Sequence, residues 1–351
     1  MVTPPIALVT RETRLQGLLD RWGTKGAVRF RLNFAHQHER ERRASATSIP
    51  IGASHPARQT GPGPGPVTEP ANAPALAAAE FSAYEQEHLN YHQSLARLRA
   101  EIDLGYPIVH VPRLYLSNYD FRSCLAVVVV GQDGLVANTA KYAGDVPIVA
   151  VNPDPRRIDG VLLPFQADQV RRALQQLIAG SAKIRQVTLA EVTLNDGQRM
   201  LAFNDLFVGC NSHASARYTL MIGNKSEPQS SSGMIISTGA GSTGWLSSMF
   251  NMLHGFNQWR GGSFAEPLRL DWSDHRLAWV VREPFLSKQS RASLVAGLLE
   301  DGDELVIESL MPAKGVVFSD GIESDFLEFN SGSIARVRRA AQSARLVFPN
   351  R

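Results

Sequence analysis

The feature that most constrains the fold is a run of valines, Val127–Val130, that ends directly in the turn GQDG. A strand built from such a run has no polar face, so it must be covered on both sides, as in a parallel sheet flanked by helices. The residues after the turn predict a helix over Leu135–Ala143, which Gly144 and Pro147 end before the next apolar segment, IVAVN. This stretch predicts an α/β fold.

Other segments of the first half support the same fold class. IALVTR, VRFRLNF and PIVHVPRLYL predict strands, and ETRLQGLLDRWG predicts an amphipathic helix, which together give a β-α-β opening. Two further helices are predicted for AEFSAYEQEHLNYHQSLARLRAEI and QADQVRRALQQLIAG. Strands separated by helices are what a mostly parallel sheet requires. We therefore expect residues 1–180 to form an α/β domain.

The sequence changes character at two places. After about residue 180, short apolar runs follow one another with few helices between them, which predicts a mainly antiparallel β domain over residues 181–335. Residues 43–79 are rich in Pro, Gly, Ser and Ala and contain few large apolar side chains. Such a segment buries too little surface to offset the entropy of ordering, so a disordered insertion is predicted there.

Composition narrows the possible partners and the cellular setting. The net charge of +3 over 351 residues gives no strong case for nucleic acid or an anionic membrane as a partner. The two cysteines, Cys124 and Cys210, lack metal-ligand spacing, and a reducing, cytoplasmic setting is expected. His88 and His92 are spaced for one helix face, but no convincing third ligand follows, so no protein metal site is predicted.

Asp133 lies within the GQDG turn, at the carboxyl end of the valine strand, where open α/β sheets commonly bind ligands. Gly131 and Gly134 allow the backbone to bend and to approach a ligand, and the following helix start offers free N–H groups to phosphate. Asp133 would then be a general base that takes the proton of an attacking hydroxyl. The alternative is an aspartate that only caps the helix, and the turn alone does not decide between the two.

A second segment with features of a nucleotide site is SSGMIISTGAGSTGW, Ser231–Trp245. Gly239, Gly241 and Gly244 match the GxGxxG pattern of dehydrogenases, but a short helix and a glycine-rich stretch follow instead of a β-α-β unit. A nucleotide loop of another kind fits better, because hydroxyl donors surround the glycines: Ser237, Thr238, Ser242 and Thr243. The absence of GxxxxGK[ST] from the sequence excludes a P-loop.

A third segment, FNDLFVG, places Asn204 and Asp205 side by side before an apolar run. An amide and a carboxylate together suit a ribose or a carboxamide, although a simple turn would use the same two residues. This pair alone is a weak signal.

The order of these segments resembles that of the NAD kinases. GQDG is followed by VNPDPRRIDG, ND, SSG with TGAGSTGW, and SDG with a strand-like tail, over roughly residues 109–351. NAD kinases have a GGDG turn, an NE or ND pair, and a glycine- and hydroxyl-rich segment that most often ends GSTAY. The forms found here, including NDLFVGCNSHASARYTLMIG, are more similar to the mitochondrial-type branch.

The resemblance implies an α/β plus β architecture. An amino-terminal Rossmann-like α/β domain (residues 1–180) would precede a β-rich, dinucleotide-binding domain (181–335), and the tail (336–351) would pack back on the first domain. It also implies transfer of a phosphoryl group from ATP or another donor to the 2′-hydroxyl of the adenosine ribose of NAD, which makes NADP. Mg²⁺ would bridge the donor phosphates, and the protein would be a dimer or tetramer.

Individual roles also follow from the resemblance. Asp133 would be the catalytic base, Asn204 and Asp205 would contact the dinucleotide, and Thr243 and Trp245 would lie against the nucleotide. The full set of residues expected to bind nucleotide is Gly131, Gln132, Gly134, Asn152, Asn204, Asp205, Ser232, Thr238, Gly239, Gly241, Ser242, Thr243 and Trp245.

Gln132 departs from the family pattern, which has glycine at this position. If the position required a positive φ, a glutamine there would cost roughly 1 kcal/mol, and its side chain would compete with the donor phosphates for space. Two alternatives to a NAD kinase therefore stay open: a kinase of the same fold that phosphorylates another hydroxyl, such as that of a sugar, and an inactive nucleotide-binding regulator.

Overall fold

The computed structural model describes residues 3–47, 73–262 and 266–350, and for residues 43–47 and 73 it describes the backbone only. The chain forms two compact units, one of Met1–Arg11 with Arg97–Arg351 and the other of Glu12–Ala96. No helix in the described part of the chain is both long enough and apolar enough to cross a membrane.

The smaller unit is helical. It contains α1 (Arg14–Trp22), α2 (Lys25–Thr47) and most of α3 (Ala73–Glu101). Thr13 caps α1, because its side chain accepts a hydrogen bond from the backbone nitrogen of Gln16. A small core forms around three buried side chains, those of Leu15, Val28 and Phe81.

The strand predicted for VRFRLNF is wrong, since this segment lies within α2. Its apolar residues alternate, as in a half-buried strand, but Phe30 and Phe34 are 64% and 54% exposed. Val28 and Leu32, four residues apart, are the ones that pack into the core, and this is helical spacing. The alternation therefore did not mark a buried sheet face, and the predicted β-α-β opening is replaced by β-α-α-α-β.

The edges of the predicted disordered insertion are also corrected. Residues 43–47 belong to α2, and residues 73–79 belong to α3, where alanine-rich sequence favours a helix. The remainder of the predicted insertion, residues 48–72, lies outside the described residues.

His88 and His92 lie on α3 with ring centroids 4.3 Å apart. The Nδ1 atom of His88 is 2.7 Å from the hydroxyl of Thr13, which gives this histidine a local hydrogen-bond partner. Within the described ranges, no three His, Cys, Asp or Glu side chains are grouped as for a metal ion.

The larger unit begins with a parallel group of strands. β1 (Ile6–Thr10) pairs with β2 (Ile108–Pro112) and β3 (Ala126–Val130), and β3 also pairs with β4 (Ile148–Val151). Every residue of β3 is fully buried, as its apolar run requires. The helices of this unit are α4 (Asp133–Ala143), α5 (Val170–Ile178) and α6 (Trp245–Trp259), with short 3-10 helices at Arg113–Asn118, Phe121–Ser123, Ala167–Gln169 and Ala240–Thr243.

The second half of the chain is rich in strands, as predicted. Its strands are β5 (Lys183–Leu194), β6 (Arg199–Ala202), β7 (Asp205–Cys210), β8 (Ala216–Ile222), β9 (Lys225–Ser231), β10 (Met234–Ser237), β11 (Leu277–Val281), β12 (Ala296–Leu299), β13 (Leu305–Ser309), β14 (Gly315–Ser319), β15 (Phe326–Glu328) and β16 (Ile334–Phe348). Nearly all of their pairings are antiparallel.

These strands form two sheets. In the part of the chain that the structure describes, one sheet has the order β2-β1-β3-β4-β16-β13-β8-β9, with β5 beside β16 and β6 beside β5, and the other has the order β12-β11-β10-β7-β14-β15. Side chains from both sheets meet in one buried cluster, which includes Tyr218, Ile236 and Trp279. The final strand, β16, joins the parallel group, since Leu346 pairs with Ile148 of β4. A domain boundary near residue 180 stays a prediction.

Candidate active site

The GQDG turn lies at the carboxyl end of β3. The backbone nitrogen of Gly131 donates a hydrogen bond to the carbonyl oxygen of Val151, at the end of the neighbouring β4. A Cβ at Gly131 would be 2.9 Å from a methyl carbon of Leu135 and 3.5 Å from Cδ of Arg11. A larger residue at this position would therefore require the Leu135 side chain to move aside.

Gln132 occupies the N-cap position of α4. Its φ and ψ angles are −121° and 164°, an extended conformation that any residue adopts. The strain considered for a non-glycine residue therefore does not arise. The Gln132 side chain makes no capping hydrogen bond and is partly exposed. The backbone at this position needs no glycine. The GQDG turn therefore differs from a GGDG turn only in the added Gln132 side chain.

Asp133 is the first residue of α4 and is not its cap. Its Oδ1 accepts a hydrogen bond of 2.7 Å from the backbone nitrogen of Leu162, so the carboxylate is fixed against the loop that follows β4. Its Oδ2 has no hydrogen-bond partner among the described residues. One oxygen therefore orients Asp133, and the other remains for a ligand.

Asn152 shapes this loop with both ends of its side chain. Nδ2 donates to the carbonyl oxygen of Ile158 at 2.9 Å, and Oδ1 accepts from the backbone nitrogen of Asp154 at 3.0 Å. The residue is buried. Its structural effect is to hold the loop whose later residue, Leu162, binds Asp133. The expected contact of Asn152 with a nucleotide stays a prediction.

Asn204 and Asp205 form a turn that ends in β7. One carboxylate, that of Asp320, accepts hydrogen bonds from the backbone nitrogens of Phe203 (3.1 Å) and Asn204 (2.6 Å). The backbone nitrogen of Asp320 in turn donates to the carbonyl oxygen of Asp205 at 3.0 Å. The main chain of the pair is thus held by a single residue more than a hundred positions away in the sequence.

The glycine-rich loop packs directly on this turn. The hydroxyl of Thr238 donates to the carbonyl oxygen of Phe203 at 2.6 Å, and its backbone nitrogen donates to the carbonyl oxygen of Asn204 at 2.9 Å. A Cβ at Gly241 would overlap the same Asn204 oxygen, and one at Gly239 would overlap the carbonyl oxygen of Asp271. Glycine is therefore required at both positions because the backbones touch.

The hydroxyls of this loop are mostly engaged within it. Ser237 donates to the carbonyl oxygen of Thr238, and Ser242 donates to that of Gly239 at 2.7 Å. Thr243 is exposed, and its hydroxyl makes no hydrogen bond within the residues that the structure describes. Of the four hydroxyls predicted to face a nucleotide, that of Thr243 is the one left available.

A dehydrogenase-type site at this loop is excluded by the strand pairing. β10, which precedes the glycines, is antiparallel to both β7 and β11. The Rossmann fingerprint needs a parallel strand on each side of its helix. The GxGxxG match at Gly239, Gly241 and Gly244 is thus a coincidence of spacing.

An aromatic group with a nearby cation lies at the end of the loop. Trp245 stacks on Phe207 with ring centroids 5.7 Å apart and an interplanar angle of 11°, and Phe207 stacks on Phe318. The guanidinium carbon of Arg282 is 5.2 Å from the centroid of Trp245. The backbone nitrogen of Ser232 donates to the carbonyl oxygen of Arg282 at 3.0 Å, and the Arg282 guanidinium donates to the carbonyl oxygen of Ser232 at 3.4 Å. No carboxylate pairs with Arg282 in the described ranges. This partly buried positive charge therefore lies beside two of the predicted nucleotide contacts.

The sequence analysis missed a buried pair of opposite charge, Lys141 and Asp320. The ammonium group of Lys141 is 2.9 Å from the hydroxyl of Ser319 and 3.8 Å from Oδ2 of Asp320. Burial raises the pKa of Asp320 and lowers that of Lys141, while the attraction between them opposes both shifts. A lysine in the apolar helix LVANTAKYA was the one signal of this pair in the sequence.

Asp205 is almost fully buried. Burial, reinforced by the negative charge of Asp320, raises the pKa of Asp205 to about 7. A carboxyl group with this pKa is partly protonated near neutral pH, so it can donate as well as accept a hydrogen bond.

Two curated proteins are similar to the chain in sequence. A probable NADH kinase from Oryza sativa subsp. japonica is 26% identical over 219 residues, which cover 56% of this chain and 62% of that protein. A NAD kinase from Chlorobaculum tepidum is 27% identical over 127 residues, which cover 35% of this chain and 44% of that protein. The chain thus spans less than two thirds of the length of either relative. No protein-family model matches it.

Two crystal structures align with the chain over 71% and 73% of its residues. That of yeast NADH kinase complexed with NADH has a TM-score of 0.47 and 19% identity, and covers 71% of this chain and 68% of that one. The crystal structure of an NAD kinase from Archaeoglobus fulgidus in complex with ATP has a TM-score of 0.50 and 18% sequence identity. The match covers 73% of this chain and 89% of the Archaeoglobus chain. With its α/β first half and β-rich second half, the chain has the fold of the Archaeoglobus NAD kinase.

Proposed function

We propose that the protein is a NAD kinase-like phosphotransferase that moves a phosphoryl group from ATP, or another donor, to the 2′-hydroxyl of the adenosine ribose of NAD. The two curated relatives are named as kinases of NADH and NAD, and the solved structure with the same fold is a NAD kinase. The order of the motifs from GQDG to SDG supports the same activity.

The observation that carries this proposal is the physical connection of three motifs that are far apart in sequence. Lys141, on the helix that starts with Asp133, reaches Asp320, and Asp320 holds the main chain of Asn204 and Asp205. The same turn is bonded to Thr238 at the start of the glycine-rich loop. A connected site of this kind is what phosphoryl transfer asks of a protein, because catalysis rests on positioning two substrates.

In the proposed mechanism, Asp133 takes the proton of the 2′-hydroxyl as that oxygen attacks the donor phosphorus. Its hydrogen bond to the backbone of Leu162 holds the carboxylate in place through this step. Backbone nitrogens at the start of α4 and the exposed hydroxyl of Thr243 would bind phosphate oxygens. Asn204 and Asp205 would bind the dinucleotide, and Trp245 would lie against a base.

A Mg²⁺ ion suits this site as a partner of the donor. Such an ion keeps several of its waters and would be held mainly by oxygens of the donor, so Oδ2 of Asp133 stays free to act as the base. When bound, the ion would neutralise charge on the transferred phosphoryl group. The grouping of protein side chains that a resident metal needs is not found in the described residues.

Finer properties belong to the same proposal. The SSG and TGAGSTGW forms favour the mitochondrial-type branch of the NAD kinases, with GQDG in place of GGDG. We further propose small nucleotides as the partners, a homo-oligomeric assembly and a cytoplasmic location, the last on the strength of two free cysteines.

The test is formation of NADP by the purified protein with Mg²⁺, ATP and NAD. Asp133→Asn should lower kcat by about 10²–10⁴-fold and leave NAD binding largely intact, because an amide cannot take the proton but still accepts from Leu162. Asp168→Asn is the matched control, since Asp168 is an exposed aspartate in the first turn of another helix, and it should keep full activity.

Two outcomes would replace the proposal. Phosphorylation of a sugar but not of NAD, with the same dependence on Asp133, would assign a kinase of the same fold with another acceptor. Binding of NAD with no phosphorylation by ATP, other nucleoside triphosphates or polyphosphate would assign a regulator.

A further inference from the structure

Asp320 has a conformation that indicates a specific task. It follows β14 with φ at 54°, in the left-handed region that residues other than glycine rarely occupy. Its side chain is 2% exposed. A buried charge in an unfavourable backbone conformation persists only where surrounding contacts compensate for it, and such positions concentrate at functional sites.

The hydrogen bonds of Asp320 to the main chain all connect it to the turn at residues 203–205. The two carboxylate oxygens of Asp320 accept from the backbone nitrogens of Phe203 and Asn204, and its own backbone nitrogen donates to the carbonyl oxygen of Asp205. Three consecutive residues are thus held by one side chain and one peptide group. Hydrogen bonds to a charged acceptor are roughly twice as strong as neutral ones. The strength of the two hydrogen bonds from Phe203 and Asn204 therefore depends on Asp320 being ionised.

Lys141 supplies a positive charge that favours the ionised form of Asp320. Its side chain is 3% exposed, its ammonium group is 3.8 Å from Oδ2 of Asp320, and its hydrogen bond to Ser319 fixes it beside that carboxylate. Lys141 lies on α4, the helix that begins with Asp133. The position of the turn is therefore tied to the helix that carries the proposed catalytic base.

We infer that Asp320 and Lys141 are positioning residues, which fix the main chain of Asn204 and Asp205 for the dinucleotide and connect it to the Asp133 helix. The inference rests on the proposed function, in which Asn204 and Asp205 bind the dinucleotide. Neither Asp320 nor Lys141 contacts substrate or takes part in the chemistry. Their effect is on how well the dinucleotide is held.

The decisive substitution is Asp320→Asn. Asparagine tolerates a positive φ about as well as aspartate, so the backbone strain does not change. Its amide keeps one acceptor, and its NH2 group faces a backbone N–H where an oxygen had been. Loss of one charge-assisted bond to the turn should raise the KM and the dissociation constant for NAD at least tenfold. The KM for ATP should change by less than threefold.

Lys141→Met provides a second variant that keeps the apolar stem and removes the charge. Without its counter-ion, the pKa of Asp320 should rise further, and protonation turns one of its oxygens into a donor. The KM for NAD should rise as in Asp320→Asn. Because both substitutions break the same contact, the double variant should be no worse than Asp320→Asn alone.

Glu227→Gln is the matched control. Glu227 is also a buried acid whose carboxylate accepts from two backbone nitrogens, those of Ser293 and Leu294, but it does not contact the Asn204 turn. General damage to the fold should therefore appear equally in this variant. The expected result is a loss of thermal stability with the KM for NAD unchanged.

Calorimetric binding of NAD decides the inference separately from turnover. If the wild type binds NAD but makes no NADP, the proposed activity fails, and the affinity of Asp320→Asn still tests the positioning role. An NAD affinity unchanged in both Asp320→Asn and Lys141→Met overturns the inference, as does an equal loss for NAD and ATP. A variant that does not fold leaves the decision to the other one, and a wild type that binds no NAD overturns both proposals.

Discussion

Gly241→Ala tests whether the glycine-rich loop is packed directly on the Asn204 turn. A Cβ at this position would overlap the carbonyl oxygen of Asn204 and would lie 2.6 Å from its carbonyl carbon and 2.7 Å from the hydroxyl oxygen of Ser237. Ordinary contact needs a separation near 3.5–4.0 Å, so the loop must move away by on the order of 1 Å. Backbone on both sides of the clash leaves no flexible side chain to absorb this movement.

The loss of stability in Gly241→Ala can be estimated from the contacts that this movement disrupts. Overpacking of a buried site costs typically 1–3 kcal/mol, and the two hydrogen bonds from Thr238 to the turn contribute about 1 kcal/mol each. We therefore expect the free energy of unfolding to fall by about 3–5 kcal/mol. For a protein of 351 residues, that corresponds to a decrease in Tm of about 4–7 °C.

The assay is thermal unfolding, with Gly255→Ala as the control. Gly255 lies inside α6, and a Cβ there would meet no atom within 4 Å. An alanine in a helix interior is favoured over glycine by roughly 0.5–1 kcal/mol, so the control should be as stable as the wild type or more so. A Gly241→Ala protein with an unchanged Tm and unchanged nucleotide affinity would refute the close packing of loop and turn.

Two more predictions concern Asp205 and Gln132. The raised pKa of Asp205 means that the folded state binds a proton more tightly than the unfolded state. The contribution of Asp205 to stability is therefore fully present below about pH 4 and is lost as pH rises to about 7. The shift of the pKa from 3.8 to about 7 limits this contribution to the free energy of unfolding to at most about 4 kcal/mol. In denaturant unfolding, the free energy of unfolding of the wild type should fall more steeply with rising pH than that of Asp205→Asn. Equal slopes would contradict a protonated Asp205. Gln132→Gly should change stability by less than about 1 kcal/mol, because the backbone there is extended, while a change in KM for ATP would locate the glutamine side chain near the phosphates.

Much of the fold followed from hydrophobic pattern alone. The valine run of β3 and the helix after it were predicted because burial on both faces leaves little choice of structure. The same reasoning failed for VRFRLNF, where the alternating apolar residues suited a strand and Val28 with Leu32 suited a helix. Local sequence could not separate these patterns, since the choice depended on which side chains found a core.

The candidate site was predictable in its motifs and not in its contacts. Asp133, Asn204 and the glycine-rich loop were selected as candidates because each carries a residue type that the proposed chemistry needs. Asp320 was passed over, although it lies in the noted SDG segment, because its partners are residues 203–205. The φ angle of Gln132 was likewise inaccessible, since the passage from β3 into α4 sets it.

The structure also changes which groups of the glycine-rich loop are available for a nucleotide. The sequence suggested a ring of hydroxyls, but those of Ser237, Thr238 and Ser242 donate to backbone carbonyl oxygens inside the protein. Their role is to hold the loop against the Asn204 turn, which is why glycines at 239 and 241 must admit the neighbouring backbone. Under the proposed function, nucleotide recognition would then fall to the exposed Thr243, to backbone nitrogens and to Trp245 with Arg282 beside it. A site of this kind derives its specificity from the placement of its main chain, so residues that fix that main chain, Asp320 above all, should matter as much as those that touch the ligand.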